Sequence, residues 1–377
     1  MRIFSLFLGL FMSAAAYAQT FETQAPQVYM KDLETGDVLL AKNADQKMVP
    51  SSMSKILTAH QVFDYLKNGG IKLSDTLFVS EAAWSKQGTK MFVPLNGQVS
   101  VEDLLKGVIV QSGNDACIVL AEGLGGTEAA FAEEMTRKAH EMGAKNTNFV
   151  NSTGWPDEGH YTTAKDLAIM AQRTIEDFPE QYAKYYGLKE FKYNNINQQN
   201  RNTLLGKSNL GADGMKTGHT DAGGYGIVAS AKQGTRRIIL VVNGLANARE
   251  RDQEATALLN WGFNFFKNYK ICRKDDVIEV ADVWGGEEKT VPLVPQKTLV
   301  VTLPRSKRKD LVVKIHYDSP VAAPLKKGDV VGYIEATVPD KGVFKVPLCA
   351  GKDITRAWFY QRMKDSLNYL LWGKHTS

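Results

Sequence analysis

The chain has 377 residues, 44% apolar and 23% charged, with a formal net charge of +5. That length favours two domains, and that composition excludes intrinsic disorder. The positive balance is mild and gives no reason to expect a nucleic-acid partner.

The first residues, MRIFSLFLGLFMSAAAYAQ, place Arg2 before an apolar run from Ile3 to Ala16 and close on Ala16-Tyr17-Ala18. This is the pattern of a cleavable signal peptide over residues 1–18, with Gln19 as the mature N-terminus. The run is shorter than the ~20 residues that span a bilayer. No later stretch is long enough either, so an exported chain without a transmembrane helix is expected.

Two strand-like runs, Gln27 to Asp32 and Asp37 to Lys42, flank Leu33-Glu-Thr-Gly36 and predict a hairpin. Ile56, Ala59, Val62, Phe63 and Leu66 then recur at helical spacing, so a buried helix starts at or just before Ser52. Residues 100–185 are expected to be helical. Ser100 with Asp103 has the spacing of a capping box, Thr127 opens a helix that Gly143 stops, and Thr163 with Asp166 opens another. Met215 to Lys232 and Arg237 to Val242 read as strands joined by Gln233-Gly-Thr, and a helix follows from Glu250 to Phe266. N- and C-terminal strands thus enclose a helical middle. The fold class expected for residues 19–268 is α/β, with one sheet closed by the two ends of the segment and packed on a helical cluster.

Residues 269–353 change character. Short apolar runs at Val277, Thr298, Leu311 and Val330, separated by Gly, Pro and charged turns, predict a small all-β domain. From Ile354 to Trp372, Trp358, Phe359, Met363, Leu367, Leu370 and Leu371 fall on one helical face, so 354–377 reads as an amphipathic tail. The basic run Arg305 to Lys309 reads as a solvated loop. Of the three cysteines, Cys117 sits in an apolar helical stretch and should be buried, and at least one thiol must stay free. Whether Cys272 pairs with Cys349 is open. No His, Cys or acidic spacing suggests a metal site, and no cofactor is implied.

Three short motifs carry the chemistry. In Ser52-Met53-Ser54-Lys55 a helical spacing of three brings hydroxyl and amine together. A serine needs a base to become a nucleophile, and a lysine becomes one only when burial or a nearby cation lowers its pKa. Ser112-Gly113-Asn114 falls between two helices, where a loop can project a hydroxyl and an amide into a cleft. Lys216-Thr217-Gly218 opens a strand, offering a cation, a hydroxyl and a residue without Cβ beside which a substrate backbone can pass. Each motif is weak alone; Ser306 to Lys309 repeats the first and Ser366 to Asn368 the second. Their order and contexts together are strong, because S-x-x-K, S-D-N and K-T-G form the set of penicillin-binding proteins and class A β-lactamases.

With Pro50 to Thr58, Ser112 to Ala116, Asn200-Arg-Asn202, Asp213 to Asp221 and Trp261-Gly-Phe263, the chain resembles the low-molecular-mass serine D-alanyl-D-alanine carboxypeptidases, whose middle motif is S-G-N. The resemblance implies that Ser52 is acylated, Lys55 is its general base and Ser112 relays a proton to the leaving amine. It implies that Asn114 binds the substrate amide, while Lys216 and Thr217 hold the terminal carboxylate and keep Lys55 unprotonated. The backbone N–H groups of Ser52 and His219 would form the oxyanion hole, and Arg251 and Arg201 would help bind the carboxylate. The His219 side chain is expected to line the site or support it, not to act as a base. The implied partners are peptidoglycan stem peptides and β-lactams, in the periplasm, with the tail on the outer face of the inner membrane. A serine β-lactamase is the poorer reading, since no E-x-x-L-N lies between the second and third motifs. A D,D-endopeptidase would use the same residues.

Overall fold

The computed structural model describes residues 21–372, so the expected signal peptide lies outside the described residues. Strands β1 (Gln27–Asp32) and β2 (Val38–Lys42) form the expected hairpin. The segment Met215 to Lys232, expected as one run, is instead two antiparallel strands, β3 (Ala212–Thr220) and β4 (Gly224–Gln233). The chain reverses between them at Asp221-Ala222-Gly223, where Gly224 takes φ 66°. That left-handed conformation suits glycine and ends the strand. β5 (Arg236–Leu245) completes a five-stranded antiparallel sheet in the order β2-β1-β5-β4-β3. The N-terminal strand pairs with the C-terminal one, Met30 opposite Leu240, so the two ends close the domain.

Both faces of this sheet are covered, which is why β5 is a continuous apolar run. Ile239 and Val241 face the helical cluster. Ile238, Leu240 and Val242 face helix α5 (Ala248–Phe265) through Leu258, Leu259 and Phe263. Each such side chain contributes roughly 1.5–3 kcal/mol on burial. The centre of the helical cluster is α1 (Lys55–Lys67), in which even Thr58, His60 and Gln61 are buried. Around it lie α2 (Asn114–Gly125), α3 (Glu128–Met142) and α4 (Ala164–Asp177). The capping signals hold: Thr127 accepts from the Ala130 N–H and Thr163 from that of Asp166. Ser100 accepts from the Asp103 N–H while its hydroxyl donates to the Asp103 carboxylate.

The C-terminal region is all-β apart from a short 3-10 turn and a last helix. A two-stranded ribbon, β6 (Phe266–Cys272) with β9 (Leu299–Pro304), leads into a six-stranded sheet. Its strands are β7 (Glu279–Trp284), β8 (Thr290–Pro295), β10 (Val312–Tyr317), β11 (Val321–Ala322), β12 (Val330–Val338) and β13 (Gly342–Ala350). The β1–β2 turn docks on this region: Lys341 pairs with Asp37 at 2.7 Å, and Thr35 meets Thr302 at 2.6 Å. The run Arg305–Asp310 is a 3-10 turn, anchored where Arg305 Nε donates to the Asn264 carbonyl.

Residues 354–357, expected to open the tail helix, instead bridge to the β region, Ile354 to Leu325 and Arg356 to Gly286. The helix itself, α6, spans Phe359–Trp372. Trp358, Phe359, Met363 and Leu367 are exposed. Cys117, Cys272 and Cys349 are all buried and free, which settles the open pairing. Among the described residues no helix is long and apolar enough to cross a membrane.

Candidate active site

Ser52 sits in one 3-10 turn, Ser51–Ser54, that runs directly into α1. Ser51 takes the left-handed conformation (φ 51°), and its Oγ lies 2.8 Å from Thr220 Oγ1 at the end of β3. The turn is therefore tied to the sheet, and Ser52 is aimed into a cleft of about 670 Å³.

The helical geometry places Lys55 Nζ 2.9 Å from Ser52 Oγ. Lys55 is 1% exposed. Its Nζ also contacts Asn114 Oδ1 at 2.8 Å and the Thr153 carbonyl at 2.5 Å. Burial pulls the Lys55 pKa below its usual value; Arg201 adds to the effect, while Asp115 and Glu128 oppose it. A neutral amine has two N–H groups and one lone pair. Asn114 Oδ1 and the Thr153 carbonyl can only accept. When both are served, the lone pair is left facing the Ser52 hydroxyl.

The other motifs converge on the same cleft. A π-helical turn, Gly107–Gln111, ends at Ser112, whose left-handed backbone (φ 67°) places it in the cleft wall. Such π turns are frequent at functional sites. Asn114 opens α2, and its Nδ2 donates to the Gln87 carbonyl, which fixes Oδ1 toward Lys55. Asp115 holds the facing segment: its buried carboxylate accepts from the N–H groups of Met91, Phe92 and Val93.

Lys216 is 3% exposed and donates to the Thr217 carbonyl at 3.2 Å. Burial, then the nearby Lys55 and Arg201, hold its pKa well below the usual value. Thr217, Gly218 and His219 line the cleft. The glycine has a reason beyond the one expected. A Cβ on Gly218 would lie 3.0 Å from the Pro50 carbonyl and 3.1 Å from Met53 Cγ, so its absence lets the Ser51–Ser54 turn pack on β3. The His219 ring stacks on Tyr225 with centroids 3.8 Å apart. Arg201 and Arg251 share one side of the cleft, where Arg251 is held by Asp252 at 2.8 Å and by the Arg201 carbonyl at 3.3 Å.

Sequence reasoning missed the loop that completes the site. Asn151 Oδ1 accepts from the N–H groups of Thr153, Gly154 and Trp155, shaping a turn whose Thr153 carbonyl reaches Lys55. The cluster Asn151-Ser-Thr-Gly-Trp-Pro156 is a turn signal, but nothing in it names Lys55 as a partner. His160, for which no partner was evident, lies beneath the nucleophile turn. Its Nδ1 accepts from the Val150 N–H, so Nε2 carries the proton donated to Ser54 Oγ at 3.0 Å.

Burial lowers the pKa of both His60 and His160 from 6.5 to about 4. The folded rings are neutral at pH 7, whereas an unfolded ring takes up a proton below pH 6.5. Stability should therefore fall between pH 6.5 and about 4. The expected loss is roughly 3 kcal/mol per ring, levelling off below the folded pKa. Urea unfolding at pH 7 and pH 4.5 measures this, and His160→Gln should flatten the dependence.

Residues 13–247 match the family model of the D-alanyl-D-alanine carboxypeptidases, and residues 266–356 match the C-terminal domain of penicillin-binding protein 5. The chain is 40% identical over 373 residues to the D-alanyl-D-alanine carboxypeptidase DacC of Escherichia coli K12, covering 96% of this chain and 93% of that protein. It resembles the crystal structure of penicillin-binding protein 5 from Haemophilus influenzae with a TM-score of 0.74 at 36% identity, over 89% of this chain and 98% of that one. It is also similar to penicillin-binding protein D2 from Listeria monocytogenes in its cefotaxime-bound form, with a TM-score of 0.60 at 28% identity, over 65% of this chain and 99% of that one. A buried Ser–Lys pair in a basic cleft, on a chain matched by such relatives along nearly its whole length, leaves one assignment: this is a serine hydrolase belonging to the D-alanyl-D-alanine carboxypeptidase family of penicillin-binding proteins.

Proposed function

We propose that Ser52 is the acylated nucleophile and Lys55 its general base. The observation that carries this is the buried Lys55 Nζ, 2.9 Å from Ser52 Oγ, with Asn114 Oδ1 and the Thr153 carbonyl as its other two contacts. Lys55 takes the hydroxyl proton as Oγ attacks the carbonyl carbon between the two D-alanines. Backbone N–H groups of Ser52 and His219 receive the oxyanion. The C–N bond then breaks, and Ser112 passes a proton to the amine of the departing D-alanine. Water hydrolyses the ester, returning Ser52 and releasing the shortened peptide. Lys216, Thr217, Arg201 and Arg251 hold the terminal carboxylate, and burial together with the Arg201 charge lowers the pKa of Lys55. Asn114, besides orienting Lys55, would bind the substrate amide. A β-lactam would acylate the same serine.

The test measures free D-alanine released from a pentapeptide ending in D-Ala-D-Ala by protein starting at Gln19. One equivalent of penicillin should stop the release, and peptide mapping should find the adduct on Ser52. An adduct on any other residue would overturn the assignment.

We further infer export through residues 1–18 to the periplasm, with residues 19–268 as the catalytic domain, 269–353 as the β domain and 354–377 as the tail. The exposed Trp358, Phe359, Met363 and Leu367, with Arg362 and Lys364 also exposed, suit a helix lying on an anionic membrane face. Protein ending at Ala357, which keeps the bridges of residues 354–357 to the β region, should lose sedimentation with phosphatidylglycerol vesicles while keeping its rate of penicillin acylation.

A further inference from the structure

The turn that carries the Thr153 carbonyl to Lys55 is held from outside as well as by Asn151. Glu128 opens α3, directly after the N-cap Thr127. The helix dipole favours a carboxylate in that first turn. Glu128 Oε1 accepts from the Ser152 N–H at 3.0 Å and from the Ser152 hydroxyl at 2.7 Å. The Ser152 carbonyl in turn accepts from Thr58 Oγ1 of α1 at 2.7 Å. Ser152 is buried and fixed at its N–H, its hydroxyl and its carbonyl, and Thr153 is the next residue. A second tie lies two turns along the same face of α3. There Thr136 Oγ1 accepts from the Phe149 N–H at 2.8 Å and donates to the Phe149 carbonyl at 3.1 Å. Residues 149–152 thus run along α3, tied to it at both ends.

We propose that Glu128 is a positioning residue for the general base: through Ser152 it sets where the Thr153 carbonyl stands, and that carbonyl orients the Lys55 amine toward Ser52. Glu128 does not line the cleft, so it reaches the base only through Ser152 and through its charge. Burial lowers the pKa of Lys55 most, and Arg201 adds to it; Cys117, Asp115 and Glu128 oppose it, and Lys216 lies close by. Removing the Glu128 charge therefore lowers the pKa of Lys55 further and moves the rise of acylation to lower pH. The inference rests on Lys55 as the base of the proposed reaction.

Reach and charge separate in two variants, read by the pH profile of Ser52 acylation by penicillin. Glu128→Asp keeps the charge but falls one methylene short of Ser152. Its plateau rate should drop about ten-fold, with the midpoint unmoved. Glu128→Gln keeps an acceptor oxygen at full length without the charge. It should hold the plateau within about three-fold, with the midpoint at lower pH. Glu128→Ala should combine the shift with a loss of about 10²-fold. Thr136→Val is the structural control: cutting the far tie should lower the urea midpoint and leave the plateau unchanged. A Glu128→Asp protein at full rate, a Glu128→Gln protein as slow as Glu128→Ala, or an equal loss in Thr136→Val would overturn the positioning role. Should Glu128→Ala fail to fold, the Asp and Gln variants decide between them. Lys55→Met is run beside them. If it acylates at the unsubstituted rate, the base reading fails by itself, and a loss in Glu128→Asp then shows that the anchor does not act through Lys55.

Discussion

Lys55→Met should lower the rate of Ser52 acylation by penicillin by about 10⁴-fold, because nucleophile and base act as a unit. The methionine is similar in length and apolar, so it removes the base without burying a new charge. It does leave Asn114 Oδ1 and the Thr153 carbonyl without their donor, each buried against the same space. Some destabilisation is therefore expected, and the urea midpoint must be measured beside the rate. In the unsubstituted protein, acylation should rise with pH as Lys55 loses its proton. Since burial lowers the pKa of this lysine, that rise should come below the pH of an ordinary lysine titration. Stopped-flow acylation across pH gives both results. A Lys55→Met protein that is folded and acylates within ten-fold of the unsubstituted rate would remove Lys55 from the base role.

Gly154→Ala should be nearly as damaging, although residue 154 bears no chemistry. Gly154 has φ 80°, and a Cβ there would lie 1.8 Å from the Ser51 carbonyl oxygen and 3.1 Å from the Ser52 nitrogen. Both partners are backbone, so relief must come from moving the nucleophile turn or the Thr153 carbonyl that positions Lys55. Overpacking and the left-handed conformation together should destabilise the protein by about 3 kcal/mol. A displacement of about 1 Å at the reacting atoms should slow acylation by about 10²-fold. Gly126→Ala is the control: its φ is 77°, but nothing lies within 4 Å of the added Cβ. It should show the conformational cost of about 1 kcal/mol and unchanged acylation. Equal acylation rates in the two variants would mean that the Gly154 contact does not place Ser52.

Much of this architecture was legible in the sequence wherever a short-range rule governs it. Ser52 and Lys55 had to meet, because a helical turn puts residues three apart on one face, and they do at 2.9 Å. The caps at Ser100, Thr127 and Thr163 followed from one side chain reaching an N–H three residues on. The unbroken apolar run of β5 implied a strand buried on both faces. Other features were decided only when distant segments packed. Thr153 is 98 residues from Lys55, and Arg201 is 50 from Arg251, yet each pair is in contact. The reversal at Asp221 to Gly223 was passed over although Asp221-Ala-Gly-Gly224 carries turn residues. The third hydrogen bond to Lys55, the close approach that forbids a side chain at Gly154 and the hold of Glu128 on Ser152 all come from segments meeting across the fold. A sequence fixes periodicity and caps residue by residue, but which carbonyl faces which amine across a hundred residues is set by how the whole core packs.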